Sequence, residues 1–356
     1  MTHSPNHFAC IMAGGSGERF WPMSRARTPK HLLKLLSDRT LVEETVRRVA
    51  RVVPPENIFV LTNAVQLPAT QAALQGLIPA GQIIAEPAKR DTAPAAALAT
   101  ALVRARGGEE AALALLPADA YIADQAGFAR QLAAALPRAA GGDAILTIAI
   151  KPDHPATGFG YLEMGPETTR SEAGVFRQVR RFVEKPDVAK AAAYLASGNH
   201  AWNAGMFFWS VRTFLREARA HAPALADFIA GFPQGDFSGF LAARFPALPK
   251  ISVDYAIMEK AGAVETLLAG FDWDDVGLWT ALPKHLQSDG AGNALRGAVV
   301  VAQAANNIAV SNGRTIALCG VKDLVVVETA DAVLVCHRDA VQDIKQIVQQ
   351  LPPALQ

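Results

Sequence analysis

The sequence predicts an α/β fold with a mostly parallel sheet, followed by a small β-rich unit. Short apolar runs alternate with helical patterns between Phe8 and Ile150, as strands and helices do in βαβ units. Past Gly290 the helical pattern gives way to short β-like runs separated by turns. A chain of 356 residues is also longer than a typical single core. We therefore expect a large α/β domain at residues 1–287 and a short β-helix-like unit with a terminal helix at residues 288–356.

The elements of the larger domain follow from their apolar patterns. Each strand is a continuous apolar run, as a strand buried on both faces requires, and the helices have apolar residues at helical spacing. In chain order these are strand Phe8–Ala13, helix Leu41–Val53, strands Ile58–Thr62 and Ile83–Glu86, helix Ala93–Arg104, strand Ala112–Leu116, helix Phe128–Leu136 and strand Ala144–Ile150. Ligands of such sheets bind beyond the carboxyl ends of the strands. The loops after Ala13, Glu86 and Leu116 are therefore expected at one edge.

The C-terminal unit contains five short runs of β-forming residues. They are Ala298–Val301, Asn307–Val310, Thr315–Leu318, Leu324–Glu328 and Ala332–Val335, with a predicted helix from Asp339 to Gln350. Even spacing and intervening turns favour coils of a β-helix. The apolar strands offer a candidate surface for a homodimer.

Composition excludes several classes of function. Lys and Arg total 34 against 33 for Asp and Glu, a net charge of +1, so no global field attracts nucleic acid or an anionic membrane. Neither a signal pattern nor an apolar run long enough to span a bilayer is present. Cys10, Cys319 and Cys336 lie far apart without CxxC spacing, which favours buried thiols in a reducing compartment. We expect a cytoplasmic protein.

The first strand runs into a glycine-rich loop that suits phosphate binding. The loop fits neither the dinucleotide G-x-G-x-x-G turn nor the Walker sequence. Its glycines allow successive backbone N–H groups to surround phosphate oxygens, and Arg19 and Lys30 add positive charge. The alternative is a plain strand-to-helix turn with exposed basic residues. The glycine run reads Gly14-Gly15-Ser16-Gly17.

These residues resemble the G-G-x-G-x-R…P-K signature of the sugar-nucleotide pyrophosphorylases. Trp21-Pro22 and Pro29-Lys30 are most similar to the branch that makes GDP-mannose. Seven further matches follow in order: Glu86–Pro94, Leu116–Asp119, Gly158–Tyr161, Phe182–Pro186, Trp202–Phe207, Ser252–Ala256 and Asp272–Gly277. The resemblance implies a Rossmann-like mixed, mostly parallel nucleotidyltransferase domain. It also implies Mg²⁺-dependent formation of GDP-mannose and pyrophosphate from GTP and mannose 1-phosphate.

The catalytic candidates are charged residues at the predicted ligand edge. A sugar phosphate is already an anionic nucleophile, so positioning and charge neutralisation replace a general base. Asp119 follows a strand and could hold Mg²⁺, and in the resembling family this position and that of Asp275 bind the metal. Arg19 and Lys30 suit the departing pyrophosphate. The alternatives without a metal are a helix cap for Asp119 and a turn aspartate for Asp275. If a metal is bound, the adjacent Asp274 is an alternative ligand to Asp275.

The substrate-binding candidates fall into two groups, one assigned to the sugar phosphate and the other to the base. Glu184 and Asn203 suit the sugar hydroxyls, Lys185 the sugar phosphate, and Gly160 close approach of the backbone to the sugar ring. The alternatives are a solvated Glu184–Lys185 pair, a turn asparagine and a flexible hairpin tip.

Base contacts are assigned to the segment that contains Glu86, Asp91 and Thr92. Asp91 stands where the family commonly has Asn, and Ala120 where it has His. A carboxylate at position 91 would repel a triphosphate unless Lys89 or Arg90 paired with it.

Two rival functions stay open. The first is transfer to another base or sugar on the same fold, and the second is a non-catalytic sugar-nucleotide-sensing subunit. The expected partners are small-molecule substrates, with no nucleic acid and no membrane.

Overall fold

The computed structural model describes residues 6–356, which form one large sheet, flanking helices and a smaller β-rich unit. The strands of the large sheet are β1 His7–Met12, β2 Ile58–Asn63, β3 Ile83–Glu86, β4 Ala112–Pro117, β5 Ile145–Ile150, β6 Tyr161–Ser171, β7 Gly174–Val183, β8 His200–Ser210 and β9 Val264–Leu268. Their order in the sheet is β3-β2-β1-β4-β8-β5-β9-β7-β6. The helices are α1 Leu41–Val49, α2 Leu67–Ala73, α3 Thr92–Gly107, α4 Gln125–Gly141, α5 Val188–Ser197, α6 Val211–His221, α7 Pro223–Ala230 and α8 Ser238–Arg244.

The parallel part of the sheet brings the predicted loops to one edge. β3, β2, β1 and β4 pair in parallel, with Met12 opposite both Leu61 and Pro117. The loops that follow β1, β3 and β4 therefore leave the sheet at the same end. This arrangement confirms the prediction of a mostly parallel core sheet.

Alternate residues of β1 enter different cores. Phe8 and Cys10 pack in a cluster with α3, α6 and α7, whereas Ala9 and Ile11 pack in a second cluster with α1 and α4. Successive side chains of a strand point to opposite faces, so helices cover both faces of the sheet. Such burial explains why the strand reads as a continuous apolar run.

β8 enters the sheet between β4 and β5 and runs antiparallel to both. It also pairs with β6, while β6 and β7 form a long antiparallel hairpin that joins the sheet through β9. This antiparallel half carries the candidate sugar-binding residues, since Asn203 lies within β8 and Glu184 directly follows β7.

The C-terminal unit is built from short, mostly parallel strands. They are β10 Ala294–Arg296, β11 Val299–Ala302, β12 Ile308–Ser311, β13 Ile316–Cys319, β14 Leu324–Glu328 and β15 Val333–His337. Buried Asn293 and Asn307 link successive coils, because Asn307 Nδ2 donates to Asn293 Oδ1 at 2.9 Å. The small β-rich unit predicted from the sequence is confirmed, while its boundary at residue 287 stays a prediction.

Three details differ from the sequence-based expectations. The helix predicted at 339–350 is a 3₁₀ segment, Arg338–Asp343, followed by the short helix α9 Ile344–Val348. α1 ends at Val49, ahead of the Pro54-Pro55 pair that cannot continue it. Of the three thiols, that of Cys10 is buried and that of Cys319 is exposed.

The C-terminal unit packs directly against the loop after β1. Ile344 and Val348 of α9 share a buried cluster with Phe20 and Trp21 of that loop. Trp21 Nε1 also donates a hydrogen bond to the carbonyl of Leu355 at 2.9 Å. Across the described residues, no helix combines the length and apolar character needed to cross a membrane.

Candidate active site

The glycine-rich loop doubles back so that its two ends meet. Gly17 has a φ of 63°, a left-handed conformation that favours glycine. A Cβ at Gly17 would lie 2.6 Å from the backbone nitrogen of Lys30, so only glycine fits there without displacing that backbone. The close contact brings Lys30 back to the glycine run, as expected for two parts of one phosphate site.

Lys30 joins the two candidate metal ligands. Its side chain is 10% exposed, and its Nζ lies 2.9 Å from Asp119 Oδ2. The same Nζ donates a hydrogen bond to the backbone carbonyl of Asp275. Lys30 and Asp275, which are 245 positions apart in the sequence, thus meet at this ammonium group.

The pKa values of the two carboxyls respond differently to this arrangement. Burial alone would raise the pKa of Asp119, but the charge and hydrogen bond of Lys30 lower it below its usual value. Burial raises the pKa of Asp275, and the carboxylates of Asp274 and Asp119 raise it further against the opposing charge of Lys30. The surroundings of Asp275 therefore favour the ionised form of its carboxyl less than water does.

A divalent cation fits Asp119 and Asp275 on the chemistry of their donors. Carboxylate oxygens are hard ligands, and Mg²⁺ is commonly held by one or two carboxylates together with substrate phosphates. Within residues 6–356 no group of three or more His, Cys, Asp or Glu side chains could hold a metal ion. Two carboxylates therefore make a sparse site that substrate oxygens would complete.

Asp274, the alternative ligand, has its oxygens occupied. Its Oδ2 lies 3.0 Å from His285 Nε2, and its Oδ1 accepts the Val276 N–H at 2.7 Å. Asp275 lines the cavity beside Lys30 and Asp119, and Asp274 does not. The geometry therefore favours Asp275 over Asp274 as the ligand.

Arg19 supplies a further positive charge. It lies in the short 3₁₀ segment Glu18–Phe20 and lines the same cavity as Lys30. Its Nε is buried and has no hydrogen-bond partner among the described residues. A buried, unpaired guanidinium nitrogen suits an anionic ligand that would complete its hydrogen bonding.

The residues predicted to bind the sugar also lie together. Glu184 Oε1 is 3.0 Å from Lys185 Nζ, and the Glu184 side chain is only 11% exposed. Asn203 donates its backbone N–H to the Gly160 carbonyl at 2.9 Å. A Cβ at Gly160 would lie 2.5 Å from Glu184 Oε2. Gly160 therefore leaves space for the Glu184 carboxylate. Because the Glu184 side chain is largely buried, the Glu184–Lys185 pair is not fully solvated.

The predicted base-binding residues line a second cavity. Burial raises the pKa of Glu86 to about 7, and its Oε1 has no hydrogen-bond partner among the described residues. Asp91 caps α3, accepting the Thr92 N–H at 2.8 Å. Within residues 6–356 neither Lys89 nor Arg90 forms an ion pair with Asp91, and the Arg90 guanidinium donates to the Pro246 carbonyl.

Two adjoining cavities collect every predicted site residue. The larger, of about 760 Å³, is lined by Ser16, Arg19, Asp275 and the sugar group, and the smaller, of about 400 Å³, by Gly14, Gly15, Glu86 and Asp91. Gly17, Lys30, Thr92 and Asp119 line both cavities. The structure thus brings together all of these residues, while their individual roles stay predictions.

Sequence reasoning missed several residues of these walls. Asp254 lies in the recognised segment Ser252–Ala256 but had no assigned role. Lys345 of α9 reaches the larger cavity from the C-terminal unit, where no motif marked it. His31, which no motif marked, is 3% exposed, lines the smaller cavity, and burial lowers its pKa to about 4.

Comparisons with known proteins agree with this arrangement. Residues 8–290 match the family model described as nucleotidyl transferase, and residues 297–351 match the mannose-phosphate isomerase/GMP-like β-helix domain. The chain is 36% identical to the mannose-1-phosphate guanylyltransferase of Escherichia coli K12, covering 97% of this chain and 73% of that protein. It is 38% identical to the xanthan biosynthesis protein XanB of Xanthomonas campestris pv. campestris B100, with the same coverage.

A solved structure is also similar over nearly the whole length. It is described as a mannose-1-phosphate geranyltransferase from Thermus thermophilus, with a TM-score of 0.87 and 32% identity. The similarity covers 97% of this chain and 99% of the other. Both the large sheet and the β-rich unit are therefore shared.

Proposed function

The chain belongs to the nucleotidyl transferase family, and we propose that it acts as a mannose-1-phosphate guanylyltransferase. The reaction joins GTP and mannose 1-phosphate to give GDP-mannose and pyrophosphate. Relatives that carry this name match this chain over 96–98% of its length, through both of its parts.

The proposed mechanism rests on the two cavities, which meet at Lys30 and Asp119. The smaller cavity carries the candidate base contacts and the larger one the candidate sugar contacts. Two substrates held in these cavities would bring their phosphates together at the shared wall. Such positioning converts a bimolecular step into an effectively unimolecular one.

The chemical step exchanges one phosphoanhydride bond for another. An oxygen of the sugar phosphate forms a bond to the α-phosphorus of GTP, and the bond from that phosphorus to the oxygen between the α- and β-phosphates breaks, so that pyrophosphate leaves with this oxygen. The attacking oxygen is already anionic, so no side chain has to remove a proton. Lys30 and Arg19 stabilise the negative charge that gathers on the departing pyrophosphate.

Nucleotidyl transferases typically use a divalent metal ion, and we assign Mg²⁺ to Asp119 and Asp275. When bound, the ion would neutralise phosphate charge between the two reactants. Lys30 keeps Asp119 ionised and therefore ready to act as a ligand.

A substrate panel tests this function. The purified chain is incubated with GTP, dTTP, UTP or ATP and with mannose 1-phosphate or glucose 1-phosphate, and pyrophosphate release is followed. We expect the highest kcat/KM for GTP with mannose 1-phosphate. A preference for dTTP with glucose 1-phosphate would establish the rival transferase. Binding without pyrophosphate release from any pair would establish a sensing subunit.

A further inference from the structure

Asp254 is a carboxyl group of the larger cavity that the proposed mechanism does not use. It begins a π-helical turn, Asp254–Met258, and lines the cavity with Glu184 and Asn203. Its Oδ1 accepts a hydrogen bond from Asn203 Nδ2 at 3.1 Å. π-helical turns are rare and recur at functional sites.

The backbone that carries Asp254 is held against the start of α3. Val253 N–H donates to Thr92 Oγ1 at 2.9 Å, and Ala93 N–H donates to the Ile251 carbonyl at 3.1 Å. Val253 and Ile257 are buried in the core cluster with α3. The carboxyl therefore stands on a fixed segment that connects the start of α3 with the sugar end of the cavity.

The amide of Asn203 is oriented by three partners. Its Oδ1 accepts from Thr147 Oγ1 at 3.2 Å and from the Gly205 N–H at 3.1 Å, while Asp254 accepts from its Nδ2. An amide nitrogen has two hydrogens, so the bond to Asp254 leaves one for another acceptor. Likewise, Asp254 uses Oδ1 for Asn203, and its Oδ2 has no hydrogen-bond partner on another residue within residues 6–356.

A purely structural role does not account for a carboxyl at this position. Burial and the nearby Glu184 carboxylate raise the pKa of Asp254, to about 7, and Lys185 opposes the rise. A half-buried acid that faces a second acid costs folding free energy, which an amide or apolar residue would avoid. Ionisable groups whose pKa is shifted by burial and by a nearby charge, and which line a cavity, are characteristic of binding and catalytic sites.

We propose that Asp254 is a further sugar-binding residue that fixes the Asn203 amide and accepts a hydroxyl group of the sugar. The inference rests on the proposed function, because it assigns the larger cavity to the sugar phosphate. With Glu184 it gives the sugar end two carboxyl groups and one amide. Such a set distinguishes epimers, because a misplaced hydroxyl leaves one of these groups without a partner.

Product binding separates this role from a structural one. We compare the unaltered chain with Asp254→Asn, which keeps the shape and an acceptor for Asn203, and with Asp254→Ala, which removes both. Calorimetry then gives Kd for GDP-mannose and for GDP. We expect the Kd for GDP-mannose to rise by about tenfold in Asp254→Asn and by about 100-fold in Asp254→Ala, with Kd for GDP unchanged. Asp227→Asn, an exposed change on α7, is the matched control.

Kinetics provide a second readout. The KM for mannose 1-phosphate should rise while that for GTP stays constant, and the preference for mannose 1-phosphate over glucose 1-phosphate should fall. If the ratio of the two Kd values stays at the parent value in both variants, the assignment is wrong. A parent chain that prefers a different sugar nucleotide would refute the proposed function. In that case the two Kd values would be measured for the preferred sugar nucleotide and for its nucleoside diphosphate. Their ratio in the Asp254 variants would still test whether Asp254 binds the sugar.

Discussion

Lys30 Nζ lies 2.9 Å from Asp119 Oδ2 and also donates a hydrogen bond to the carbonyl of Asp275. One ammonium group thus links both proposed metal-binding residues at the wall between the two cavities. Its position is fixed by Gly17, where a Cβ would collide with the Lys30 backbone. Under the proposed mechanism the substrate phosphates meet at this wall, and a charge already in place there stabilises developing charge without further reorganisation.

Replacing Lys30 by Ala should therefore lower kcat by about 10²–10³, the effect typical of one preorganised donor. KM for GTP should change less, because the charge on the departing pyrophosphate develops in the transition state. Steady-state pyrophosphate release measures both constants. Lys34→Ala, an exposed neighbour, is the control and should behave as the parent. An increase in KM alone would mean that Lys30 binds substrate and transition state equally.

Asp275 and Asp274 give opposite predictions for activity and stability. Asp275→Asn should abolish metal-dependent turnover with little change in Tm, because it removes a cavity carboxylate and no core volume. Asp274→Asn should instead lower Tm, because Asp274 Oδ2 faces His285 and its Oδ1 holds the Val276 N–H. Turnover against MgCl₂ concentration and thermal unfolding measure the two effects. Full activity of Asp275→Asn would move the metal role elsewhere.

Gly160→Ala should act on the sugar site through Glu184. The added Cβ would lie 2.5 Å from Glu184 Oε2, so the carboxylate has to move. Loss of one hydrogen bond to a charged group predicts a rise of about tenfold in KM for mannose 1-phosphate, with KM for GTP unchanged. At exposed Gly235, which lines neither cavity, an added Cβ meets no atom within 4 Å, so Gly235→Ala is the matched control. Equal kinetics for the two variants would contradict the proposed position of the Glu184 carboxylate.

The pKa of Glu86 predicts how stability depends on pH. Burial raises this pKa from 4.5 to about 7, so the folded state binds more protons than the unfolded state between these values. Stability contributed by this group is present below about pH 4.5 and decreases as the pH rises through about 7. Glu86→Gln removes the ionisation, so its Tm should exceed that of the parent at pH 8 and approach it near pH 5. Tm measured across this range, with exposed Glu172→Gln as the control, tests the sign.

The parallel half of the fold could be predicted because its signals are local. Continuous apolar runs end in glycine, glutamate or aspartate, and parallel strands bring their carboxyl ends to one edge. The antiparallel half could not be derived from pattern alone. The position of β8 between β4 and β5 depends on pairings with residues 52–98 positions away, which leave no periodic trace in the sequence. Glu184 and Asn203 were found only because the motifs that contain them resemble a family.

The same dependence on tertiary contacts explains why the sequence did not mark Asp254 and Lys345. Asp254 lies within a recognised motif, but its role becomes apparent only from the contact with Asn203 Nδ2. Lys345 lies in a surface helix with ordinary spacing. Its approach to the larger cavity depends on how the C-terminal unit packs against Phe20 and Trp21.

Lys345→Ala tests whether the C-terminal unit contributes to the active site. Packing of Ile344 and Val348 against Phe20 and Trp21 places Lys345 at the cavity that also holds Arg19. Its charge is exposed, so we expect kcat/KM for GTP to fall by only about two- to fivefold. The difference from the parent should shrink as salt is added, because ions screen exposed charges. Lys322→Ala, on the same unit but outside the cavity, should show neither effect, and a loss that salt does not reduce would indicate disturbed packing of α9 instead.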